Sequence, residues 1–173
     1  MAQKKNLRRL MLCAVLTAMS VVLAMIAKQI FTNNSFFRIT FENLPIIFAA
    51  VFFGPLYGGA MAGCADVLTT LVSGGALNPF ITLGAISVGV VSGLVSHLLA
   101  RAGIRERVII SCAAGHIVGN MTIKTLALYF MFRPGPIVFI RIPTYILICA
   151  LECAAILLLY KNNYIRKKTE ELQ

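Results

Sequence analysis

The apolar positions of this chain fall into long uninterrupted runs, and the charged positions gather between the runs and at the two ends. The first run, Leu10 to Ala27, follows Lys4, Lys5, Arg8 and Arg9. It approaches the 20 or so residues that a membrane-crossing helix takes, and it predicts a first helix ending near Lys28. The polar and aromatic residues from 31 to 41 predict a structured loop. From Leu44 to Ala65 no residue is charged, a length that alone reads as one span. Gly54-Pro55 sits in its middle, however, and proline disfavours a helical conformation for the residue before it. The run therefore predicts two short helices. Asn43 is placed to cap the first, with Pro45 in its first turn, and the second reaches about Val72. A turn-rich loop from Ser73 to Pro79 leads into a span from Phe80 to Ala100. A basic loop with Arg101, Arg105 and Arg107 precedes a span from Val108 to about Phe132, interrupted by Lys124. Arg133-Pro-Gly-Pro136 predicts a sharp turn. Ile137 to Tyr160 predicts the last span, with Arg141 and Glu152 inside it, before a basic tail carrying Lys161, Arg166, Lys167 and Lys168.

Composition fixes the class. Of 173 residues 59% are hydrophobic and 13% charged, with a mean hydropathy of +0.86, whereas soluble domains carry about a quarter charged residues. The expectation is an all-α integral protein of the cell membrane, multi-pass. It forms one membrane domain over 1–173, with basic cytoplasmic tails at 1–9 and 161–173. The net charge of +10 does not point to nucleic acid, because the Lys and Arg residues sit where membrane orientation puts them. With a hairpin at Gly54-Pro55 there are six helices, and eleven basic residues face one side against Lys28, Arg38 and Arg133 on the other. With a mere kink there are five helices, and five basic residues inside oppose nine outside, against the positive-inside tendency. Six helices with both termini cytoplasmic is the reading taken. The second helix is then short and must tilt or shelter within protein. Small residues four apart, Ala14 and Ala18, Gly59 and Gly63, Gly89 and Gly93, Gly115 and Gly119, allow close helix contact. Packing within the bundle is the expected use of most of them.

The five cysteines lie inside apolar runs without a Cys-x-x-Cys pair, and they read as small core residues rather than metal or redox groups. His97 and His116 read as packing or hydrogen-bonding residues. No metal and no cofactor is expected, and no enzyme: nucleotide loops, zinc-protease and serine-hydrolase motifs are absent. The chemistry lies in the intramembrane charges. At 1.5 Å per residue Lys124 lies about 12 Å, Asp66 about 10 Å and Arg141 about 6 Å from the same side of the bundle. Such groups demand pairing or hydration and mark functional sites. Asn120 is one turn from Lys124, while Arg141, Tyr145, Ile148 and Glu152 share a stripe. A pocket open to the outside and lined by both signs follows; the competing reading is a set of structural ion pairs, such as Asp66 with Lys124.

Those residues resemble the substrate-binding S components of energy-coupling factor (ECF) vitamin transporters, most closely the folate-specific branch. The resemblance rests on Ala14-x-x-x-Ala18, on Arg38-Ile-x-Phe-x-x-Leu-Pro45 leading into Phe53-Gly-Pro55-x-x-Gly58 and Asp66, and on Asn78-Pro79. It continues through Asn120-Met-x-Ile-Lys124 and Arg141-Ile-Pro143 to Glu152. It implies six helices, a vitamin bound near the outer face, and as partners a transmembrane coupling subunit and two ATPase subunits. For folate, Lys124 and Arg141 suit the two carboxylates. Asp66 or Glu42 suits the donor nitrogens of the pterin, and a Phe or Tyr ring such as Tyr145 suits its face. Asn78, Asn120 and Arg38 complete the candidate binding set. Ala14 and Ala18, widened by Cys13 and Thr17, are the expected docking strip for the coupling subunit. The alternatives are an S component for another vitamin and a small gradient-driven anion transporter, for which 173 residues are few.

Overall fold

The computed structural model describes residues 2–30, 40–132 and 137–172, and side chains within 5–30, 40–130 and 142–169. The described residues form helices joined by short connections. They are α1 (Ala2–Ile30), α2 (Asn43–Phe53), α3 (Pro55–Val72), α4 (Pro79–Leu98), α5 (Ile104–Gly115), a π-helix π1 (His116–Lys124), α6 (Thr125–Phe132), α7 (Ile137–Lys161) and α8 (Asn163–Leu172). Three stretches, Lys5–Ile30, Pro79–Leu98 and Ile142–Lys161, are long and apolar enough to cross a membrane. The loop expected at 31 to 41, except its last two residues, and the turn at 133 to 136 lie outside the described residues.

The break at Gly54-Pro55 is a hairpin. Gly54 has φ +107°, a conformation that side-chain-bearing residues avoid, and Pro55 starts α3 where its missing N–H is no loss. The chain folds back on itself. A Cβ on Gly58 would lie 2.5 Å from the Cβ of Ala50, and farther along the pair Ile46 packs with Ala62 and Ala65. The carbonyls at the end of α2 have no helical partner, and Arg107 supplies one from α5. Its Nη2 donates to Val51 O at 2.7 Å and its Nε to Ser96 Oγ at 2.7 Å, while Ser96 Oγ donates to Val51 O at 2.9 Å. α5 begins at Ile104, inside the expected basic loop.

α4 lies at the centre, against α2, α3, α5 and π1. Its glycines let backbones touch. A Cβ on Gly89 would fall 2.2 Å from Gly58 O, and one on Gly93 would fall 2.5 Å from Pro55 Cα. Gly115 and Gly119 meet Ser92 and Val88 of α4 in the same way, and Gly59 and Gly63 meet Val90 and Ile86. These pairs serve packing within the bundle. The main core gathers Ile47, Val51, Val88, Val108, Cys112, Cys153 and Ile156 from α2, α4, α5 and α7.

Three local expectations are corrected. The N-cap of α2 is Glu42, and Asn43 is the first helical residue, buried with its side chain toward a cavity. The stretch 116–124 is a π-helix rather than α. The basic tail is helical: α8 is strongly amphipathic and packs on α7 and α1.

Gly89→Ala is expected to destabilise the bundle by about 1–3 kcal/mol, the usual range for overpacking, because a backbone oxygen blocks the added methyl. Gly103→Ala, where a Cβ meets nothing within 4 Å, should leave thermal unfolding of the detergent-solubilised protein unchanged.

Candidate functional site

Helices that alternate in direction bring six ends together around one cavity. It is lined by the last turns of α1 and α3, the first turns of α2, α4 and α7, and the end of π1 with α6. Its volume is about 390 Å³, within the range of small-molecule sites. The first half of α1 and α8 lie away from it, with Leu12 and Leu16 beside Tyr164, Ile165, Lys168 and Thr169.

Four expected binding residues line this cavity: Glu42, Asp66, Lys124 and Tyr145. Lys124 is buried, 9% exposed. Its stem lies on α4 where Gly84 has no side chain, since a Cβ there would fall 2.5 Å from Lys124 Cγ. Among the described residues nothing donates to, accepts from or pairs with its ammonium. The ion pair with Asp66 that the competing reading supposed is not formed. Asp66 instead accepts a hydrogen bond of 2.8 Å from Thr82 Oγ1, tying α3 to α4. A buried charge without a partner costs several kcal/mol, so this lysine faces the cavity at an energetic disadvantage that an anion would remove.

Two expected residues serve elsewhere. Asn78 is the N-cap of α4, where its Oδ1 accepts from Phe80 N at 2.9 Å, and it does not line the cavity. Asn120 is 1% exposed and its Nδ2 lies 2.8 Å from His116 Nδ1, whose ring holds Glu152 Oε2 from Nε2 at 2.7 Å. This network lies beneath the cavity, with the Tyr145 ring 6.2 Å from that of His116. Asn120 is turned to His116, four residues back, and does not line the cavity as Lys124 does; along the same π-helix Thr122 Oγ1 and Thr125 Oγ1 donate to the carbonyls of Ile117 and Asn120. Arg38 and the Arg141 side chain lie outside the described residues; the backbone of Arg141 belongs to α7, one turn before Tyr145.

The cavity also contains residues that the sequence reading passed over. Ser20, Ala24 and Lys28 project from α1 at spacing four, joined by Thr40, Thr69, Thr70 and Thr144. Ser20 Oγ donates to Glu42 O at 2.5 Å and Lys28 Nζ to Ser73 Oγ at 2.6 Å. The signal was available: polar Ser20 and Lys28 at i and i+8, with small Ala24 between them, mark a face of an apolar helix turned from lipid. The candidate docking pair, Ala14 and Ala18, is exposed, whereas Cys13 and Thr17 are buried and do not widen the strip. Cys13 packs with Ala49 and Met61.

Three of the five cysteines meet. Cys112, Cys149 and Cys153 place their sulfurs within 4.8 Å of one another, and Cys112, His116 and Glu152 do the same with their donor atoms. The spacing Cys112-x-x-x-His116 is the ligand spacing that a search for His pairs and Cys-x-x-Cys misses.

A sequence model of the family described as "ECF transporter, substrate-specific component" matches residues 8–151. Over 88 residues the chain is 33% identical to an uncharacterised protein of Mycoplasma pneumoniae, the MG098 homolog. That match takes in 47% of this chain and 18% of the relative, so the chain spans under a fifth of the length of the curated relative it matches.

Asn120→Ala removes the partner of His116 Nδ1 and is expected to lower stability by about 1–3 kcal/mol. Denaturant unfolding measures it, and ligand affinity should change little, since Asn120 does not line the cavity.

Proposed function

We propose that this chain, which belongs to the substrate-specific components of ECF transporters, captures an anionic vitamin, folate, in the cavity between its helix ends. The observation that carries this reading is Lys124, a buried ammonium with no partner among the described residues, at the wall of a cavity of small-molecule size. A carboxylate placed there turns an unfavourable buried charge into a charge-assisted hydrogen bond. Arg141, one turn before cavity-lining Tyr145, takes the second carboxylate of a glutamate tail. Asp66 and Glu42 accept from the donor nitrogens of the pterin, and the Tyr145 ring packs on its face. Neutral hydroxyls of Thr40, Thr69, Thr70 and Thr144 fit the remaining polar edge.

Sidedness follows from charge. The basic N-terminal segment and the basic α8 lie at the ends of the helices remote from the cavity, and basic segments stay in the cytoplasm. The hairpin at Gly54 supports six crossings, with both termini cytoplasmic and the cavity toward the outside. The chain carries no nucleotide loop, so a coupling subunit and two ATPase subunits supply the work. Exposed Ala14 and Ala18 offer α1 as the contact with the coupling subunit, since small residues let helices approach closely in lipid.

Mass spectrometry of small molecules that copurify with the solubilised protein should find a folate. Lys124→Ala should then weaken its binding by about 2–5 kcal/mol, as for removal of one partner from a desolvated pair. Calorimetric titration of wild type and variant checks this, and equal affinities would remove Lys124 from the site.

Ala14→Trp and Ala18→Trp should abolish copurification with the coupling subunit, and uptake with it, while ligand binding by the isolated chain stays nearly unchanged. Loss of ligand binding together with uptake would place the strip in the core instead.

A further inference from the structure

The cavity leaves unused the largest cluster of ligating side chains in the described residues. Cys112 on α5, His116 on π1 and Glu152 on α7 are 0%, 1% and 0% exposed, and their donor atoms all lie within 4.8 Å of one another. None of the three lines the cavity. Glu152 Oε2 is bonded to His116, yet Oε1 is buried with no hydrogen-bond partner among the described residues. Native interiors rarely leave such an atom unsatisfied, and an unplaced ion is one of the few explanations.

We propose that Cys112, His116 and Glu152 bind a divalent cation of borderline softness, of which Zn²⁺ is the type. Charge selects the class. A thiolate, a carboxylate and a neutral imidazole together balance two positive charges, and a cluster sealed in a low-dielectric bundle must stay near neutrality. A monovalent soft ion would leave a net negative charge, and Mg²⁺ or Ca²⁺ would demand a shell of oxygens that the cluster lacks. Asn120 supplies the outer contact that metal-bound histidines use. With its amide turned so that Oδ1 accepts from Nδ1–H, the Nε2 lone pair is left for the ion. Binding sends the Cys112 thiol proton to the solvent, while the imidazole proton moves from Nε2 to Nδ1 and the Nε2–Glu152 hydrogen bond gives way. The ion would pin α7 to α5 and π1 beneath the cavity, without touching what the cavity holds.

The test uses the full chain, purified in detergent with a phosphine reductant, and Co²⁺ alone as the probe. One equivalent should give thiolate-to-cobalt charge-transfer absorption, erased by Zn²⁺. Cys112→Ser should lose the charge-transfer band, and Glu152→Gln should weaken Co²⁺ binding about tenfold or more. Cys64→Ser, at an exposed cysteine outside the cluster, should change neither. Absence of the band in the wild type overturns the proposal. So does its survival in Cys112→Ser or its loss in Cys64→Ser. If Cys112→Ser does not fold, Glu152→Gln decides: unchanged Co²⁺ affinity overturns the site.

Discussion

Backbone contact along α4 is the constraint on which the rest of the bundle depends. Inside lipid, apolar surface gains nothing by leaving one hydrocarbon for another, so helices associate through van der Waals contact and hydrogen bonds. Gly58 against Gly89 and Pro55 against Gly93 bring α3 and α4 together at distances that no Cβ tolerates. Gly115 and Gly119 fix π1 and the end of α5 on the opposite side of α4. The cavity is the space left between helices held in this way. Lys124 enters it because Gly84 leaves room for the lysine stem on α4.

The second organising fact is how polar groups are satisfied away from water. Most are answered locally. Arg107 and Ser96 serve the open end of α2, Thr82 serves Asp66, and Asn120 holds His116. Beside the hydroxyls of Ser92 and Ser111, two ionisable side chains have a buried group without a partner among the described residues: the ammonium of Lys124, which meets a cavity, and Glu152 Oε1, which meets none. The difference separates them chemically. An ammonium at a cavity wall waits for something that enters and leaves, whereas an enclosed carboxylate oxygen waits for something that stays.

Much of this was legible in the sequence, because charges are rare in an apolar chain and each one must be accounted for. The uncharged runs marked the helices, and Gly54-Pro55 marked the fold-back that the backbone makes at φ +107°. Asp66, Lys124, Glu42 and Tyr145 do meet at one cavity. What stayed hidden depends on register. No residue pattern announces a π-helix or the partner that Asn120 finds in His116, so helical spacing alone placed it with Lys124 in the binding set. Lys28 was read as the end of a helix because a charge at a boundary needs no other explanation. The cysteines were taken one at a time, and only the pairing of α5 with α7 shows Cys112 facing Cys149.

The stripe of α7 shows why depth must be read along with face. Tyr145, Ile148 and Glu152 share one side of the helix, and from sequence they make a single pocket wall. In the structure Tyr145 lines the cavity, Ile148 is 1% exposed and Glu152 is 0% exposed. Seven residues of helix separate the first from the last by about 10 Å, and the buried isoleucine stands between them as an apolar partition. A ligand in the cavity therefore does not reach the carboxylate of Glu152. His116 holds one of its oxygens, and the other has no hydrogen-bond partner among the described residues. The ring of His116, 6.2 Å from that of Tyr145, links the two layers. Whatever fixes His116 also fixes the floor on which the cavity's aromatic ring rests.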